Sequence, residues 1–214
     1  MRKLLISLIF TAFSISAKAE NVDIYGGVST NLGKLDYLYK NFGAIIAVVA
    51  LSGCSSAPIT LNYAPSSTMS VEGSVNVGDF KYLPGEINPE VKPNQIRNTA
   101  IGNIVFEKNV DEYFEKAVFT ESRFVGISVG KSENELSGEI QEFLIDDLGY
   151  SIDWTLKVNY RVNSKGHNTC YEKTHRIKKN TAKFANVFGT LNEIMKLNIE
   201  QTFSDQAFLD CIEK

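Results

Sequence analysis

Apolar residues in the second half of the chain alternate with polar ones and predict an antiparallel meander. In Trp154–Val162, five apolar side chains alternate with four polar ones, which is the period-2 pattern of a half-buried strand. Segment 139–147 precedes this strand across a turn at 148–150. Segment 167–178 follows as a more polar strand, which favours a position at the edge of the sheet. Three consecutive strands are therefore expected.

Helical spacing appears in two other segments. Asn109 is a candidate N-cap, and the apolar residues after it fall on one helical face. These residues are Val110, Tyr113, Phe114, Ala117 and Val118. Asn180 is expected to cap a second helix with a core-facing stripe. The stripe consists of Phe184, Phe188, Leu191, Met195 and Ile199. A short helix over 204–214 is expected to end the chain.

Upstream of the first helix, a strand is expected at about 69–83 and a short one at 104–106, with a proline-containing loop between them. The order is strand, helix, meander, helix. This order predicts an α+β fold, in which a small antiparallel sheet of about four strands carries two main α-helices on one face. The expected division is a signal-like segment 1–19, a stretch 20–53, a tether 54–69 and an α+β domain 70–214.

The N-terminus has the three regions of a secretory signal peptide. Arg2 and Lys3 precede a mostly apolar run, and Ala17-Lys18-Ala19 is a small-x-small cleavage site. Cleavage after Ala19 is therefore one predicted processing event.

A second export signal follows. Lys40 precedes a short apolar run that ends in Leu51, Ser52, Gly53 and Cys54. These four residues resemble the lipobox of bacterial lipoproteins, in which the Cys thiol receives a diacylglyceryl group and the chain is cut before it. The resemblance implies lipidation of Cys54, with palmitate-type acyl chains that anchor the protein in the membrane. Ser55 resembles the pattern of lipoproteins sent to the outer membrane.

Two signals in one chain leave two interpretations open. Segment 21–39 alternates like a single strand of an outer-membrane barrel, but one strand cannot close a barrel. Translation could start at Leu35 or Leu38, at a codon that reads as leucine internally, which leaves an ordinary lipoprotein signal. Alternatively, the first signal operates and the protein is secreted without lipid.

Charge argues against nucleic-acid binding. The chain has 22 basic and 25 acidic residues, of which five basic and three acidic residues lie in positions 1–53. The remainder, from Cys54 onward, therefore has 17 basic and 22 acidic residues and a net charge of −5. A nucleic-acid-binding domain is expected to be basic.

Besides Cys54 the chain contains Cys170 and Cys211, in a compartment that favours disulfides. The predicted strand leads away from Cys170 and the predicted helix returns over a similar distance. A Cys170–Cys211 disulfide is thus geometrically feasible, and the sequence leaves it open.

No catalytic or cofactor motif is apparent, so we expect no enzyme and no cofactor. His167 and His175 share one face of a strand while Cys170 points to the other, which does not suit a metal site. Asp146 and Asp147 adjoin a turn, where a solvated or turn-capping role is expected. Neither a nucleophile elbow nor a glycine-rich phosphate loop is present.

The order and spacing of these features resemble the YajG-like family of outer-membrane lipoproteins. The match consists of the lipobox, the Pro/Ser tether, the helix leading into Phe124-Val125-Gly126, the Trp154–Val162 meander and the C-terminal helix. The accessory lipoproteins of envelope transport systems are broadly similar. The resemblance implies a location in the outer membrane facing the periplasm, and a binding or scaffolding role.

Two functions are consistent with this sequence. One is a non-catalytic accessory module that docks on another envelope protein through a sheet edge or helix face. The other is a binder of a lipid or other apolar ligand between sheet and helices, which requires a cavity.

Overall fold

The computed structural model describes residues 58–99, 102–164, 168–183 and 186–213. The strands are β1 Ser74–Tyr82, β2 Gln95–Asn98, β3 Ile104–Val105, β4 Ser128–Val129, β5 Glu135–Asp147, β6 Ser151–Ser164 and β7 Asn168–Ala182. The helices are α1 Leu83–Ile87, α2 Val110–Val125, α3 Val187–Phe203 and α4 Gln206–Ile212.

The predicted meander forms the larger part of the sheet. β5 and β6 pair antiparallel through the turn at Leu148-Gly149-Tyr150, and β6 pairs antiparallel with β7. The apolar residues of β6 that alternate in the sequence are all buried, from Trp154 to Val162. The period-2 pattern therefore identifies the core-facing side of β6.

The other side of β5 is shared by two parallel strands. β1 pairs with the first half of β5, from Asn76 beside Glu135, and β2 pairs farther along, with Arg97 beside Leu144. The short strands β4 and β3 extend these two, parallel to β1 and antiparallel to β2 respectively. The described sheet is thus mixed and has seven strands, so the expected small antiparallel sheet of about four strands is wrong.

The two long helices contact each other on one face of the sheet, as expected. Tyr160 of β6 lies between them. Its ring centroid is 6.3 Å from that of Phe114 in α2, and its hydroxyl donates to Asn198 Oδ1 in α3 at 2.7 Å. The short helix α4 lies within the segment 204–214 where a final helix was predicted, whereas α1 was not predicted. No helix in the described ranges is long and apolar enough to cross a bilayer.

Helix α2 begins after Asn109 as predicted and ends at Gly126, whose φ of 106° is left-handed. Helix α3 differs from the prediction. Its N-cap is Asn186, whose side chain accepts from the Gly189 N–H at 3.1 Å. Asn180 is not a cap because β7 continues to Ala182.

The later start of α3 also changes its predicted stripe. Leu191, Met195 and Ile199 are buried in the core, whereas Phe188 is 46% exposed. Phe184 lies outside the described residues.

Candidate functional site

Residues 58–69, which we call the arm, lie against the domain. Ile59 pairs in parallel with Phe106, just beyond β3. The Ile59 N–H donates to the Val105 carbonyl at 2.8 Å, and the Glu107 N–H donates to the Ile59 carbonyl at 3.2 Å. The described part of the predicted tether is therefore part of the fold and extends the sheet beyond β3.

Farther along, the arm is bound by a buried carboxylate. Glu121 on α2 has no exposed surface. Its Oε2 accepts from the Tyr63 hydroxyl at 2.7 Å, and its Oε1 accepts from the Ser67 N–H at 2.8 Å. Each carboxylate oxygen thus receives a hydrogen bond, which a buried charge requires. Burial and the adjacent Glu121 raise the pKa of Tyr63 well above its usual value, so its hydroxyl remains a donor.

Helix α3 holds the other side of the arm. The Asn192 side chain bonds both backbone groups of Ala64, accepting from its N–H at 3.0 Å and donating to its carbonyl at 2.7 Å. The Ser67 hydroxyl donates to Glu200 at 2.5 Å. These bonds join the arm to both long helices.

A polar cluster occupies the opposite edge of the sheet, where β7 meets α4. Lys173 donates to Asp205 Oδ2 at 2.6 Å, and Tyr171 Oη lies 2.8 Å from His175 Nε2 and 3.3 Å from the same Asp205 oxygen. Three members of the cluster, Lys173, His175 and Asp205, line a surface cavity of about 460 Å³, together with Gln201, Ser204 and Gln206.

The chemistry of this cluster favours a structural role. Burial, together with the charge of Lys173, lowers the pKa of His175, although Asp205 opposes this shift. Burial raises the pKa of Tyr171 well above its usual value. The ring nitrogen of His175 therefore faces a protonated phenol, which is a poor nucleophile. The arrangement fastens α4 to β7 and presents polar groups to the surface.

A disulfide lies next to this cluster. Cys170 and Cys211 are bonded, with Cα atoms 5.8 Å apart and a separation of 41 positions in sequence. The structure thus contains the pairing that the sequence left open. It joins the start of β7 to α4, the last helix of the chain.

Strand β7 is the second candidate surface. Among the described residues it pairs only with β6, so no described strand pairs with its other edge, although α4 is attached to its first part. The strand contains four lysines or arginines and one acidic residue, Glu172. This basic edge contrasts with the acidic balance of the mature chain.

The other candidate residues from the sequence lie near the β5–β6 turn or outside the described residues. Asp146 accepts from the Thr99 hydroxyl at 2.7 Å. The Gly149 N–H and Lys183 hold the pKa of Asp147 below its usual value. Both carboxylates therefore support the turn region. His167, Cys54, the lipobox residues and the Ala19 cleavage site lie outside the described residues. In the described part of the chain, no group of three or more metal-ligating side chains is found.

The interface between sheet and helices is filled by side chains. The Phe80 ring lies 5.4 Å from that of Phe114 and 6.0 Å from that of Tyr160, and all three residues are buried. The second described cavity, of about 380 Å³, lies near β2 and β3 and is lined by mostly polar residues such as Glu90 and Arg97. These observations do not favour an apolar ligand between the two layers.

Sequence reasoning missed the attachment of the arm, although signals for it exist. Glu121 falls three residues after Val118 and four before Val125, so an acid stands on the apolar face of α2. Tyr63 is an aromatic residue in a segment otherwise rich in small residues and proline. A buried acid needs a hydrogen-bond donor, and the hydroxyl of an isolated tyrosine can be that donor.

Comparisons with known proteins concern the fold. No protein-family model matches the chain, and no curated protein matches it. Among solved structures, a DUF330 protein from Xanthomonas campestris is 11% identical, with a TM-score of 0.50, over 69% of this chain and 91% of that one. This likeness shows the fold alone.

Two further solved structures are less similar. A hypothetical protein from Chlamydia trachomatis has a TM-score of 0.42 at 11% identity, over 67% of this chain and 96% of that one. The lipoprotein GNA1162 from Neisseria meningitidis has a TM-score of 0.33 at 9% identity, over 60% of this chain and 99% of that one. Both scores are too low to indicate a common fold. The chain therefore shares its α/β fold with a DUF330 protein, and the comparisons do not single out the YajG-like family.

Proposed function

We propose that this chain is a lipoprotein of the bacterial outer membrane that faces the periplasm and acts as a non-catalytic accessory module. Acyl chains on Cys54 attach it to the membrane, and its domain docks on another envelope protein. The sequence resemblance to YajG-like lipoproteins supports the location. The proposal includes neither a cofactor nor a nucleic-acid partner.

The arm is the observation that carries this proposal. The bonded part of the arm begins at Ile59, five residues after Cys54. An acyl group on Cys54 is therefore joined to a packed domain through a very short connection. Several acyl chains bind a bilayer firmly, so such a connection keeps the whole domain beside the membrane.

The attachment is tested by a Cys54→Ser variant expressed in the native host. The wild-type protein is expected to have the mass of residues 54–214 plus acyl groups and to fractionate with the outer membrane. The variant is expected to lose both properties because serine has no thiol to be acylated. Ser56→Ala is the matched control and retains both. A wild-type mass that begins at Glu20 without lipid would contradict the proposal and support a secreted, non-lipidated protein.

The basic edge of β7 supports docking on a protein partner. An open strand edge offers unpaired backbone groups, to which a strand of another protein can add. Lysines along such an edge discourage pairing between two copies of the same chain. They also complement an acidic partner. We therefore propose that the partner supplies an acidic strand to β7.

Photocross-linking tests this docking. A photoreactive residue placed at Thr174 or Lys178, both exposed on β7, is expected to form an adduct with one envelope protein in native membranes. The same residue at Glu112, exposed on α2, is the control and is expected to form none. Adducts at Glu112 without adducts on β7 would place the interface elsewhere and reject the strand-addition proposal.

A further inference from the structure

Large apolar side chains are exposed at one end of the domain. In the β5–β6 turn, Leu148 is 55% exposed and Tyr150 is 98% exposed. Phe188, in the first turn of α3, is also exposed. Lys183 pairs with Asp147 at 3.1 Å, so the chain leaves β7 beside the turn four residues before α3 begins at Val187. Scattered exposed apolar residues are ordinary, but several at one end of a domain indicate a contact surface.

The N-terminal side of the arm faces the end of the domain that contains the β5–β6 turn. β2 is parallel to β5, which runs into the turn, and β3 is antiparallel to β2. Ile59 is paired in parallel beside Phe106, so the arm runs away from the turn as residue numbers rise. The chain therefore enters Ile59 from the side of the turn.

The distances are well matched. The Phe106 N–H donates to the Asn94 carbonyl at 2.8 Å, and Arg97 pairs with Leu144. This register places Ile59 about seven strand residues from Leu148, or about 23 Å at about 3.3 Å per residue. The five residues from Cys54 to Ile59 span at most about 18 Å. A connection of that length cannot bring Cys54 level with the turn, so with upright strands and Cys54 at the membrane surface the turn would extend at least about 5 Å past that surface.

We infer that the end of the domain formed by Leu148, Tyr150 and Phe188 rests on the bilayer surface and inserts into the headgroup layer. This inference depends on the proposed lipidation of Cys54. Tyrosine favours that layer because its ring is apolar and its hydroxyl is polar.

The charges at this end indicate which lipid surface it contacts. Asp146, Asp147 and Asp153 lie near the turn, and Lys183 forms an ion pair with Asp147. A zwitterionic surface such as phosphatidylethanolamine suits this mildly acidic surface better than an anionic one does. Contact with the bilayer fixes the orientation of the domain, with its strands upright and β7 free at the side.

The test uses the lipidated protein, residues 54–214, carrying Tyr150→Trp, reconstituted in phosphatidylethanolamine-rich vesicles with brominated acyl chains. Bromine quenches indole emission at short range. We expect bromination to lower the emission contributed by the introduced tryptophan by about half, since tryptophan favours the interfacial layer. The control is Phe124→Trp, an exposed position at the C-terminal end of α2, which lies at the opposite end of the domain. Its emission is expected to be unchanged. Trp154 is buried and contributes equally to both variants.

The outcomes separate this inference from the proposed function. A lipidated Y150W chain without quenching overturns the inference and leaves the proposed function intact. The tryptophan emission could instead shift to the blue in native membranes while remaining unquenched in pure lipid vesicles. That result would assign this end of the domain to a protein partner and would also overturn the inference. A host-derived chain without acyl groups overturns both.

Discussion

Replacing Phe114 with alanine is expected to lower the free energy of unfolding by about 3–5 kcal/mol, the range for a large aromatic residue lost from a packed core. Phe114 is fully buried on α2 and lies against Phe80 of β1 and Tyr160 of β6. The truncation leaves a cavity where the helix meets the sheet. The midpoint of urea-induced unfolding should fall while the denaturant slope is unchanged.

Phe119 is the matched control because it lies on the same helix and is 40% exposed. Its ring lies 5.7 Å from the Arg123 guanidinium carbon, a surface cation–π contact that is worth about 0.5–1 kcal/mol. Phe119→Ala should therefore cost about 1 kcal/mol or less. Equal losses at the two positions would contradict the packing described for α2.

Removing the disulfide with the double variant Cys170→Ala and Cys211→Ala should cost about 4 kcal/mol, from the chain entropy of a loop of this length. The bond links residues 41 positions apart. Without it, the unfolded chain gains conformational freedom and α4 loses its covalent attachment to β7. The loss is measured by urea unfolding under non-reducing conditions.

Reduction supplies the control for this variant. Dithiothreitol should destabilise the wild-type protein by a similar amount and leave the double variant unaffected. A wild-type protein whose stability does not respond to reduction would show that the bond contributes little, and that the Tyr171–Asp205 cluster holds α4 by itself.

Local patterns predicted those parts of the fold that depend on neighbours in sequence. The alternation in Trp154–Val162 identified β6, and the helical face beginning at Val110 identified α2. The turn at Leu148-Gly149-Tyr150 followed from its position between two strands. In each case the burial of an apolar face determines the structure, and that face is visible in a short window of sequence.

The sheet was mispredicted where pairing is long-range. β1 and β5 are parallel and separated by more than 50 residues, and no local pattern specifies which strand lies beside which. β4 has two residues, too few for a periodic signal, whereas the equally short β3 falls within the strand predicted at 104–106. The α3 boundary was misplaced because Asn180, itself a good cap residue, bonds Asp153 across the sheet at 2.6 Å instead.

The candidate sites were harder to predict than the fold. The arm is held by side-chain hydrogen bonds to Glu121, Asn192 and Glu200, and these residues are 54–133 positions away in sequence. Such bonds follow no period. The apolar residues of the β5–β6 turn were visible in the sequence, but their meaning depends on the direction of the arm, which only the strand register reveals.

The distant partners of the arm also set an order of events during biogenesis. In a chain that is exported N-terminus first, residues 58–69 emerge well before Asn192 and Glu200, with which they must pair. Contacts that close such long loops form late. The arm therefore stays unattached while the rest of the chain emerges. Under the proposed lipidation of Cys54, this interval is when cleavage and acylation would take place, before the arm docks onto the completed helices.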